Sequence, residues 1–307
     1  MAPIAILGAG SLGQLWAGYL PVGQAVFLSR AALLSSSTPK EDGQSVLHYR
    51  LKHPDDKETA CAVPVASATE ICPSLLLVTT KAGDTITALD QTLPGLATNI
   101  PVILFQNGLG CQQAVADRWP DRPILAASTT EGANRPQTGM LVHAGRGQTW
   151  IGGLNRAGQQ DVSEASRQLR ASGLDVTAEA NIHQRLWDKL VVNAGINAFT
   201  AILDCRNGDI LTHGFFLEHI DALSDEISQV MATEASCPLP AGEIKDRIFS
   251  VATATAENTS SMRSDRLRGR TTEIDVINGY IISRSRAMGI ATPVNQMLTR
   301  KVKKLTE

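Results

Sequence analysis

In the first 180 residues, short apolar runs alternate with segments whose apolar positions recur every three to four residues. The runs are typical of buried strands, and the periodic segments are typical of helices that cover a sheet. Regular alternation predicts a parallel sheet with helices on both faces, which is a Rossmann-type, doubly wound α/β domain. The predicted strands are residues 4–7, 25–28, 75–79, 102–105, 124–130 and 175–178.

Four further runs are predicted to be strands that extend this sheet. Residues 46–51 and 60–65 are predicted to be a pair of strands at the edge of the sheet. The polar residues 52–57 between them predict an exposed loop. Residues 141–144 and 148–151 flank a glycine-rich segment, which predicts an antiparallel pair that finishes the sheet.

Beyond residue 180 the pattern changes, because every periodic segment from Asn181 onward is helical. The boundary predicts two domains, a dinucleotide-binding domain at 1–180 and an all-helical domain at 181–307. Helices are expected over 221–235, 243–256 and 271–288, the last ending at Gly289.

One helical segment, residues 186–197, is apolar on nearly every face and is therefore predicted to be buried. Lys189, Asn193 and Asn197 nevertheless follow each other at intervals of four, so the three polar side chains share one narrow stripe. Burying an ammonium and two amides without partners would cost on the order of several kcal/mol. Two interpretations stay open: a stripe that faces a bound polar ligand, or a snorkelling lysine with asparagines bonded to nearby backbone.

A glycine motif follows the first predicted strand and opens the first predicted helix. It has the form G-x-G-x-x-G and consists of Gly8, Ala9, Gly10, Ser11, Leu12 and Gly13. In this context the glycines permit a tight turn, a close approach to a pyrophosphate and close helix packing. The motif predicts a dinucleotide site at the helix N-terminus.

The residues after the second strand bear on the choice of dinucleotide. Sites for NAD usually have an acidic residue there, whereas this chain has Ser29 and Arg30 and no carboxylate before Glu41. Because a guanidinium binds a 2′-phosphate well, the sequence favours NADPH. Lys81, which follows the third predicted strand, is a second candidate for that phosphate. The alternative is a solvated surface position for Arg30 and a helix-entry lysine for Lys81.

The composition mainly excludes classes of partner and site. A net charge of -2 gives no electrostatic signal for nucleic acid or for an anionic membrane. The five cysteines show no zinc-type spacing, so we expect no metal and reduced thiols in a cytoplasmic protein. No apolar run is as long as a membrane span.

Several motifs occur in an order that resembles the ketopantoate reductases, the 2-dehydropantoate 2-reductase family. They are LGAGSLG, TTKAGDT, FQNGLG, HAGRGQTWIGG, LWDKLVVNAGIN, RNGDI, NTSSM and GRTTEIDVINGYI. The resemblance covers almost the whole chain and is weakest at residues 31–74. It implies an NADPH-dependent oxidoreductase with the cofactor in a cleft, which reduces 2-dehydropantoate to (R)-pantoate on the route to pantothenate and coenzyme A.

The resemblance also implies roles for individual residues. In its helical half, Lys189 matches the proton donor, and Glu273 matches a catalytic acid near the nicotinamide ribose. Residues that match cofactor-binding positions are Gly8, Ala9, Gly10, Ser11, Leu12, Gly13, Arg30, Lys81, Asn107, Ala133 and Glu273. Residues that match substrate-binding positions are Asn107, Asn193, Asn197, Asn207 and Ser261. Glu131 and Gly132, just before Ala133, are less familiar in this family.

Local alternatives remain for two of these assignments. Glu273 also suits the first turn of a helix, and Ser260 and Ser261 both suit a helix cap. For function, the rivals are a reductase of another 2-oxo acid, a β-hydroxyacid dehydrogenase of the same plan, and a non-catalytic NADP(H)-binding sensor. The expected partner is a small 2-oxo acid, and leftover apolar surface on the helical half would support a homodimer.

Overall fold

The computed structural model describes residues 2–29, 38–39 and 45–305. These residues form two compact units. The first comprises Met1–Gln106 and Cys111–Ile182, and the second comprises Asn107–Gly110 and His183–Glu307. The predicted domains, 1–180 for dinucleotide binding and 181–307 for substrate binding and catalysis, stay a prediction. The short segment Asn107–Gly110 belongs to the second unit, which periodicity along the chain had given no reason to expect.

The first unit contains one mixed sheet built from apolar runs. Its strands are β1 (Ile4–Leu7), β2 (Ala25–Leu28), β3 (Thr38–Pro39), β4 (Ser45–Lys52), β5 (Glu58–Ala66), β6 (Leu75–Val78), β7 (Val102–Leu104), β8 (Ile124–Thr129), β9 (Gly132–Asn134), β10 (Met140–Gly145), β11 (Gln148–Gly153) and β12 (Asp175–Ala178). Their order is β12-β11-β8-β7-β6-β1-β2-β5-β4-β10-β9, with β3 beside β4. The segment from β8 through β7, β6 and β1 to β2 is parallel throughout, as predicted.

Helices cover both faces of this sheet, because successive residues of each buried strand point to opposite sides. The helices are α1 (Ser11–Tyr19), α2 (Ala82–Thr92), α3 (Cys111–Arg118) and α4 (Arg156–Arg170). Leu169 of α4 joins Ile6 in one buried cluster, and Leu89 of α2 joins Leu7 in another. The two clusters confirm the doubly wound α/β class.

Two pairing predictions are wrong. The strands β4 and β5 do pair antiparallel, but they lie inside the sheet, since β5 also pairs with β2 and β4 with β10. The strands β10 and β11 do not pair with each other, because β10 pairs with β9 and β11 with β8. The glycine-rich segment between β10 and β11 is therefore a bend and not a hairpin turn, and the two strands together form one side of a long ribbon whose other side is β8 and β9. A Cβ on Gly147 would lie 2.4 Å from the Thr130 carbonyl carbon, so the two sides of the ribbon stay in close contact there.

The second unit is helical apart from the segment Asn107–Gly110, which confirms the predicted helical class of residues beyond 180. Its helices are α5 (Ile182–Leu203), α6 (Gly214–Glu234), α7 (Ala241–Ala254), α8 (Ser261–Leu267), α9 (Asn278–Ala287) and α10 (Pro293–Lys304). Phe199 and Phe216 stack edge to face, with ring centroids 5.0 Å apart, between α5 and α6. Gly195 lets α5 approach Ile248 of α7, where an added Cβ would lie 2.4 Å from the isoleucine Cδ1. Within the described residues, none of the helices has the length and apolar character needed to cross a bilayer.

The single helix predicted over 271–288 is also wrong. A short 3-10 turn, Ile274–Val276, is followed by a break at Ile277 (φ -104°, ψ -93°) before α9 begins. The physical reason is competition for a carbonyl, because the Leu109 N–H donates to the Val276 oxygen at 3.0 Å. Gly108 permits this approach, since a Cβ there would lie only 2.1 Å from the same oxygen.

Candidate active site

The glycine loop connects β1 to α1 in the first unit. Gly8 has φ +113°, a conformation that residues with a Cβ rarely adopt. Gly13 lies in the first turns of α1 where a Cβ would be 2.0 Å from the Gly8 oxygen. The loop therefore depends on glycine for its turn and for close packing of the helix.

The start of α1 suits a phosphate. Gly10 is the N-cap residue and has no side chain to satisfy the first N–H groups of the helix, and the first turn has no acidic residue. A Cβ on Gly10 would have only the Thr79 oxygen near it, at 4.0 Å, so this side of the loop is open. Uncapped N–H groups and the positive end of the helix dipole fit the pyrophosphate of a dinucleotide.

A cavity of about 1140 Å³ adjoins this loop within the first unit. Gly8 and Ala9 line it, as does Ser29 at the end of β2. The described lining residues include one arginine, Arg135, and no aspartate or glutamate. Arg30, predicted to bind the 2′-phosphate, lies outside the described residues.

The other two predicted cofactor residues of this unit occupy different places. Lys81 is half-buried at the N-cap of α2, shortly after β6 ends at Val78. Ala133 is half-buried in β9 and packs against the core cluster that contains α1. Neither residue lines the cavity beside the glycine loop.

A buried chain of hydrogen bonds, which sequence reasoning missed, supports Ala133. Glu131 accepts from His143 Nε2 at 2.6 Å, and both side chains are almost fully buried. His143 Nδ1 is 2.7 Å from the Tyr19 hydroxyl on α1, which is also 2.9 Å from His53. These contacts fix β9 and β10 on α1, and the sequence had given no spacing signal for them.

In the second unit, α5 carries the predicted polar stripe. Lys189 and Asn193 are half-buried, and Asn197 is 6% exposed. None of these three side chains makes a hydrogen bond or ion pair with any described residue. The structure therefore does not show the backbone-bonded asparagines of the structural interpretation, and a ligand-binding role for the stripe stays a prediction.

The electrostatics at Lys189 suit proton transfer. Burial lowers the pKa of the ammonium from 10.5 to about 8, against the smaller opposing effect of the Glu273 carboxylate. Glu273 is itself held by Asn107, whose Nδ2 donates to its Oε2 at 2.9 Å. A lysine with a pKa near 8 is a better general acid at neutral pH than one with an ordinary pKa. The structure thus brings Lys189, Glu273 and Asn107 into one electrostatic group.

The remaining predicted residues lie near the end of α5. Asn207 is buried, and its Nδ2 donates to Thr255 Oγ1 at 3.0 Å, while its Oδ1 is buried without a partner among the described residues. Ser261 is exposed as the first residue of α8. Ser260 is the buried N-cap of that helix, and its hydroxyl lies 2.7 Å from Thr200 Oγ1 on α5. The cap interpretation is therefore confirmed for Ser260, whereas a substrate role for Ser261 stays a prediction.

Asn278 is a further residue that sequence reasoning did not single out. It is fully buried, and its Nδ2 donates to the Ala194 oxygen of α5 at 3.3 Å and to Asn295 Oδ1 at 3.0 Å. Asn295 donates in turn to Glu226. This network ties α5 to α9 and α10. No metal-type cluster of His, Cys, Asp or Glu occurs in the described ranges.

Comparison with known proteins places these features in a family. The ketopantoate reductase PanE/ApbA family model matches residues 4–156, and its C-terminal counterpart matches residues 181–306. The 2-dehydropantoate 2-reductase of Vibrio cholerae is 34% identical over 99% of this chain and 98% of its own length. The chain belongs to the ketopantoate reductase family. It is accordingly an oxidoreductase that acts on CH–OH groups.

Other relatives of this reductase come from different organisms. The 2-dehydropantoate 2-reductase of Halobacterium salinarum is 31% identical over 98% of the chain and 97% of its own length. A PanE/ApbA family ketopantoate reductase structure from Ralstonia eutropha superposes with a TM-score of 0.82 at 24% identity, covering 99% of this chain and 98% of its own. The D-mandelate dehydrogenase structure with NADH and anilino(oxo)acetate gives 0.87 at 23% identity, with the same coverage. At such identities the two structures show that the fold is shared.

Proposed function

We propose that this reductase converts 2-dehydropantoate to (R)-pantoate with NADPH, on the route to pantothenate and coenzyme A, and that Lys189 donates the proton. The observation that carries the proposal is the stripe on α5, where a half-buried ammonium with a lowered pKa interacts with Glu273 and two amides make no hydrogen bond with a described residue. A purely structural helix has no need for two unpaired amides beside a desolvated ammonium. A bound keto acid would supply acceptors and donors for all three.

The residues of the stripe divide the chemistry between them. When bound, the dihydronicotinamide supplies the hydride. Negative charge then develops on the ketone oxygen, where the Lys189 ammonium stabilises it and gives a proton. Asn193 and Asn197 hold the ketone and hydroxyl groups. Glu273 keeps the ammonium charged and is held in place by Asn107.

The carboxylate end of the substrate is assigned to residues beyond α5. Asn207 and Ser261 are proposed to anchor it. The exposed hydroxyl of Ser261 is accessible to a ligand, and Asn207 keeps its orientation through Thr255. The test is the KM for the keto acid in Ser261→Ala, which should rise while kcat changes less.

Binding of the dinucleotide is assigned to the first unit. The open, uncapped start of α1 supports the pyrophosphate site at Gly8–Gly13, with Ala133 and Lys81 as further contacts. Preference for NADPH over NADH rests on Ser29 and Arg30 after β2, together with Lys81. If Arg30→Ala leaves the ratio of kcat/KM for NADPH and NADH unchanged, the phosphate assignment is wrong.

The reaction is tested by following NADPH oxidation with 2-dehydropantoate and with a panel of other branched 2-oxo acids, and by following NADP+ reduction with a panel of 3-hydroxy acids. The highest kcat/KM is expected for 2-dehydropantoate. A clear preference for another 2-oxo acid or for a 3-hydroxy acid would replace the substrate and leave the oxidoreductase assignment intact. Cofactor binding without turnover on any member of the panel would favour a sensor.

The role of Lys189 is tested by Lys189→Ala. We expect kcat to fall by about 10²- to 10⁴-fold, since general acid catalysis contributes that much, while the Kd for NADPH changes little. Comparable kcat values for the two proteins would remove Lys189 from the catalytic role.

A homodimer is proposed as the assembled state. A dimeric ketopantoate reductase from Staphylococcus aureus has this fold, with a TM-score of 0.80 at 20% identity over 99% of the chain and 98% of its own. Light scattering of the purified protein tests the proposal, and the mass of a single chain at micromolar concentration would contradict it.

A further inference from the structure

A network of hydrogen bonds runs through the first unit from its surface to a buried carboxylate, and the proposed reaction does not use it. His53, half-buried directly after β4, lies 2.9 Å from Thr59 Oγ1 through Nε2 and 2.9 Å from the Tyr19 hydroxyl through Nδ1. The same hydroxyl is 2.7 Å from His143 Nδ1, and His143 Nε2 is 2.6 Å from Glu131 Oε2. These five side chains, here called the Tyr19 network, connect exposed Thr59 to His143 and Glu131, which are 0% and 2% exposed.

The buried end of the Tyr19 network fixes which atoms donate. Oε2 of Glu131 also accepts from the Gly147 N–H at 3.0 Å, and an ionised carboxylate only accepts. His143 Nε2 must therefore carry a hydrogen. In neutral His143 the Nδ1 atom is then bare, and it accepts from the Tyr19 hydroxyl. Burial raises the pKa of Tyr19, so this hydroxyl keeps its proton at neutral pH.

The single proton of the Tyr19 hydroxyl decides the outer half of the network. Because that proton is donated to His143, the oxygen accepts from His53, whose Nδ1 must carry a hydrogen. The Nε2 atom of neutral His53 is consequently bare and accepts from the Thr59 hydroxyl. All four bonds point inward, from Thr59 to Glu131. The contacts thus fix opposite tautomers, with the hydrogen on Nδ1 in His53 and on Nε2 in His143.

We propose that the Tyr19 network is a pH-sensitive switch that passes a proton from solvent at His53 to buried His143. When His53 Nε2 takes up a proton, the Nδ1 proton of His53 passes to the Tyr19 oxygen and the Tyr19 proton passes to His143 Nδ1. Tyr19 stays neutral, and His53 is neutral again with its hydrogen on Nε2. His143 becomes an imidazolium beside the Glu131 carboxylate. The network gains one proton, and the three bonds from Thr59 to His143 reverse their direction.

Charged groups act on the centre of the network from three segments of the first unit. Arg146, after β10, lowers the pKa of Tyr19, whereas Glu131, before β9, and Asp55, between β4 and β5, raise it. Asp55 is paired with Lys57 at 2.9 Å. A second added proton would place two imidazolium groups on either side of one hydroxyl, where like charges repel. The network is therefore expected to hold one added proton and not two.

The switch acts on the ribbon formed by β9 and β10. With the added proton, the bond from His143 on β10 to Glu131 becomes a charge-assisted pair, which is stronger than a bond from a neutral imidazole. The same carboxylate holds Gly147 at the bend after β10. Acid therefore strengthens a contact inside the ribbon that carries Ala133, through a proton that enters at the surface.

The direction of the bonds is tested by nitrogen–proton correlation spectra of the imidazole rings in the unliganded protein, which read the tautomer of each histidine. The second unit supplies both references. His213 Nδ1 accepts from the Phe215 N–H, so its hydrogen is on Nε2, and His219 Nδ1 donates to the Phe215 oxygen. At mildly alkaline pH, His53 is expected to match His219, and His143 is expected to match His213.

Lowering the pH tests the proton transfer. In the parent, acid is expected to protonate His143 and to move the hydrogen of His53 to Nε2. In Tyr19→Phe, an imidazolium at His143 would have a buried Nδ1–H without an acceptor, so its protonation should need an about 10- to 100-fold higher proton concentration. Tyr280→Phe, at another half-buried tyrosine, is the matched control and should behave like the parent. Thermal melts check that both variants are folded.

The tautomers of the parent test the direction of the bonds even if Tyr19→Phe does not fold. A hydrogen on Nε2 of His53, or on Nδ1 of neutral His143, at mildly alkaline pH would overturn the inferred direction. Acid that leaves His143 neutral in the parent, or that protonates it equally in folded Tyr19→Phe, would overturn the switch. The spectra need neither cofactor nor substrate, so the switch and the proposed reaction fail or succeed separately.

Discussion

Replacing Lys189 by methionine removes the ammonium and keeps an unbranched chain of similar length. Burial lowers the pKa of Lys189 from 10.5 to about 8, in spite of the opposing effect of Glu273. A shift of that size means that folding disfavours the charged lysine by about 3 kcal/mol. The attraction between Lys189 and Glu273 is already contained in the net shift, so its loss does not need to be subtracted again. We therefore expect Lys189→Met to raise the free energy of unfolding by about 1–3 kcal/mol at neutral pH.

The gain should depend on pH with a definite sign. Between about pH 8 and 10.5, the unfolded chain binds the lysine proton more tightly than the folded protein, so the parent becomes more stable as the pH rises. The methionine variant lacks this titration. Its advantage over the parent should be complete below about pH 8 and should decline as the pH rises toward 10.5.

Chemical denaturation near pH 7 and about pH 10, followed by tryptophan fluorescence, measures both effects. Trp187 is on the same helix as Lys189 and provides a local probe. Lys304→Met is the matched control, because Lys304 is an exposed lysine on the last turn of α10. A less stable Lys189→Met protein, or a gain in the free energy of unfolding that is the same at both pH values, would refute the reasoning that burial of the charged lysine destabilises the folded protein.

Three further predictions follow from single contacts. Glu273→Gln removes the interaction that raises the pKa of Lys189. The fall of kcat/KM at alkaline pH, expected near pH 8 in the parent, should therefore move to lower pH. Identical pH–rate profiles for the two proteins would contradict this. Ser260→Ala removes a helix cap and a buried hydrogen bond and should lower the free energy of unfolding by about 1–3 kcal/mol. Ser261→Ala, at an exposed position, should change it by less than about 0.5 kcal/mol. Chemical denaturation measures both variants, and equal effects would show that the assignment is wrong. At Gly108 the backbone has φ +76°, and a new Cβ would lie 2.1 Å from a carbonyl oxygen. At Gly269 the backbone has φ +62°, but the space around a new Cβ is open. Gly108→Ala should therefore lower Tm far more than Gly269→Ala, and similar Tm values would exclude the close approach.

Local patterns in the sequence predicted the elements whose formation depends on their own residues. The strands β1, β2 and β12 have the predicted bounds, because a short run of apolar residues is itself the surface that a buried strand needs. The glycine loop was also predicted, since its turn and its packing require glycine at fixed spacing. The same holds for the alignment of Lys189 with Asn193 and Asn197, which the geometry of a helix fixes whatever surrounds it.

Contacts between distant segments decided what the sequence alone did not. The helix expected over 271–288 breaks because the Leu109 N–H uses the Val276 carbonyl, and no periodicity within 271–288 records that competitor. The strands β10 and β11 separate because both pair with the preceding β8–β9 segment, where Glu131 binds the Gly147 N–H.

The sequence by itself determined a Rossmann-type unit and a helical unit, and it predicted the residues of a reductase site. Only the tertiary structure decided that the Asn193 and Asn197 side chains make no hydrogen bond with a described residue, that burial exceeds Glu273 in its effect on the Lys189 pKa, and that Arg135 is held at Ala9. The physical reason is that strand and helix formation depend on neighbours along the chain. Solvation and charge interactions depend on neighbours through space, and spacing in the sequence carries no record of those.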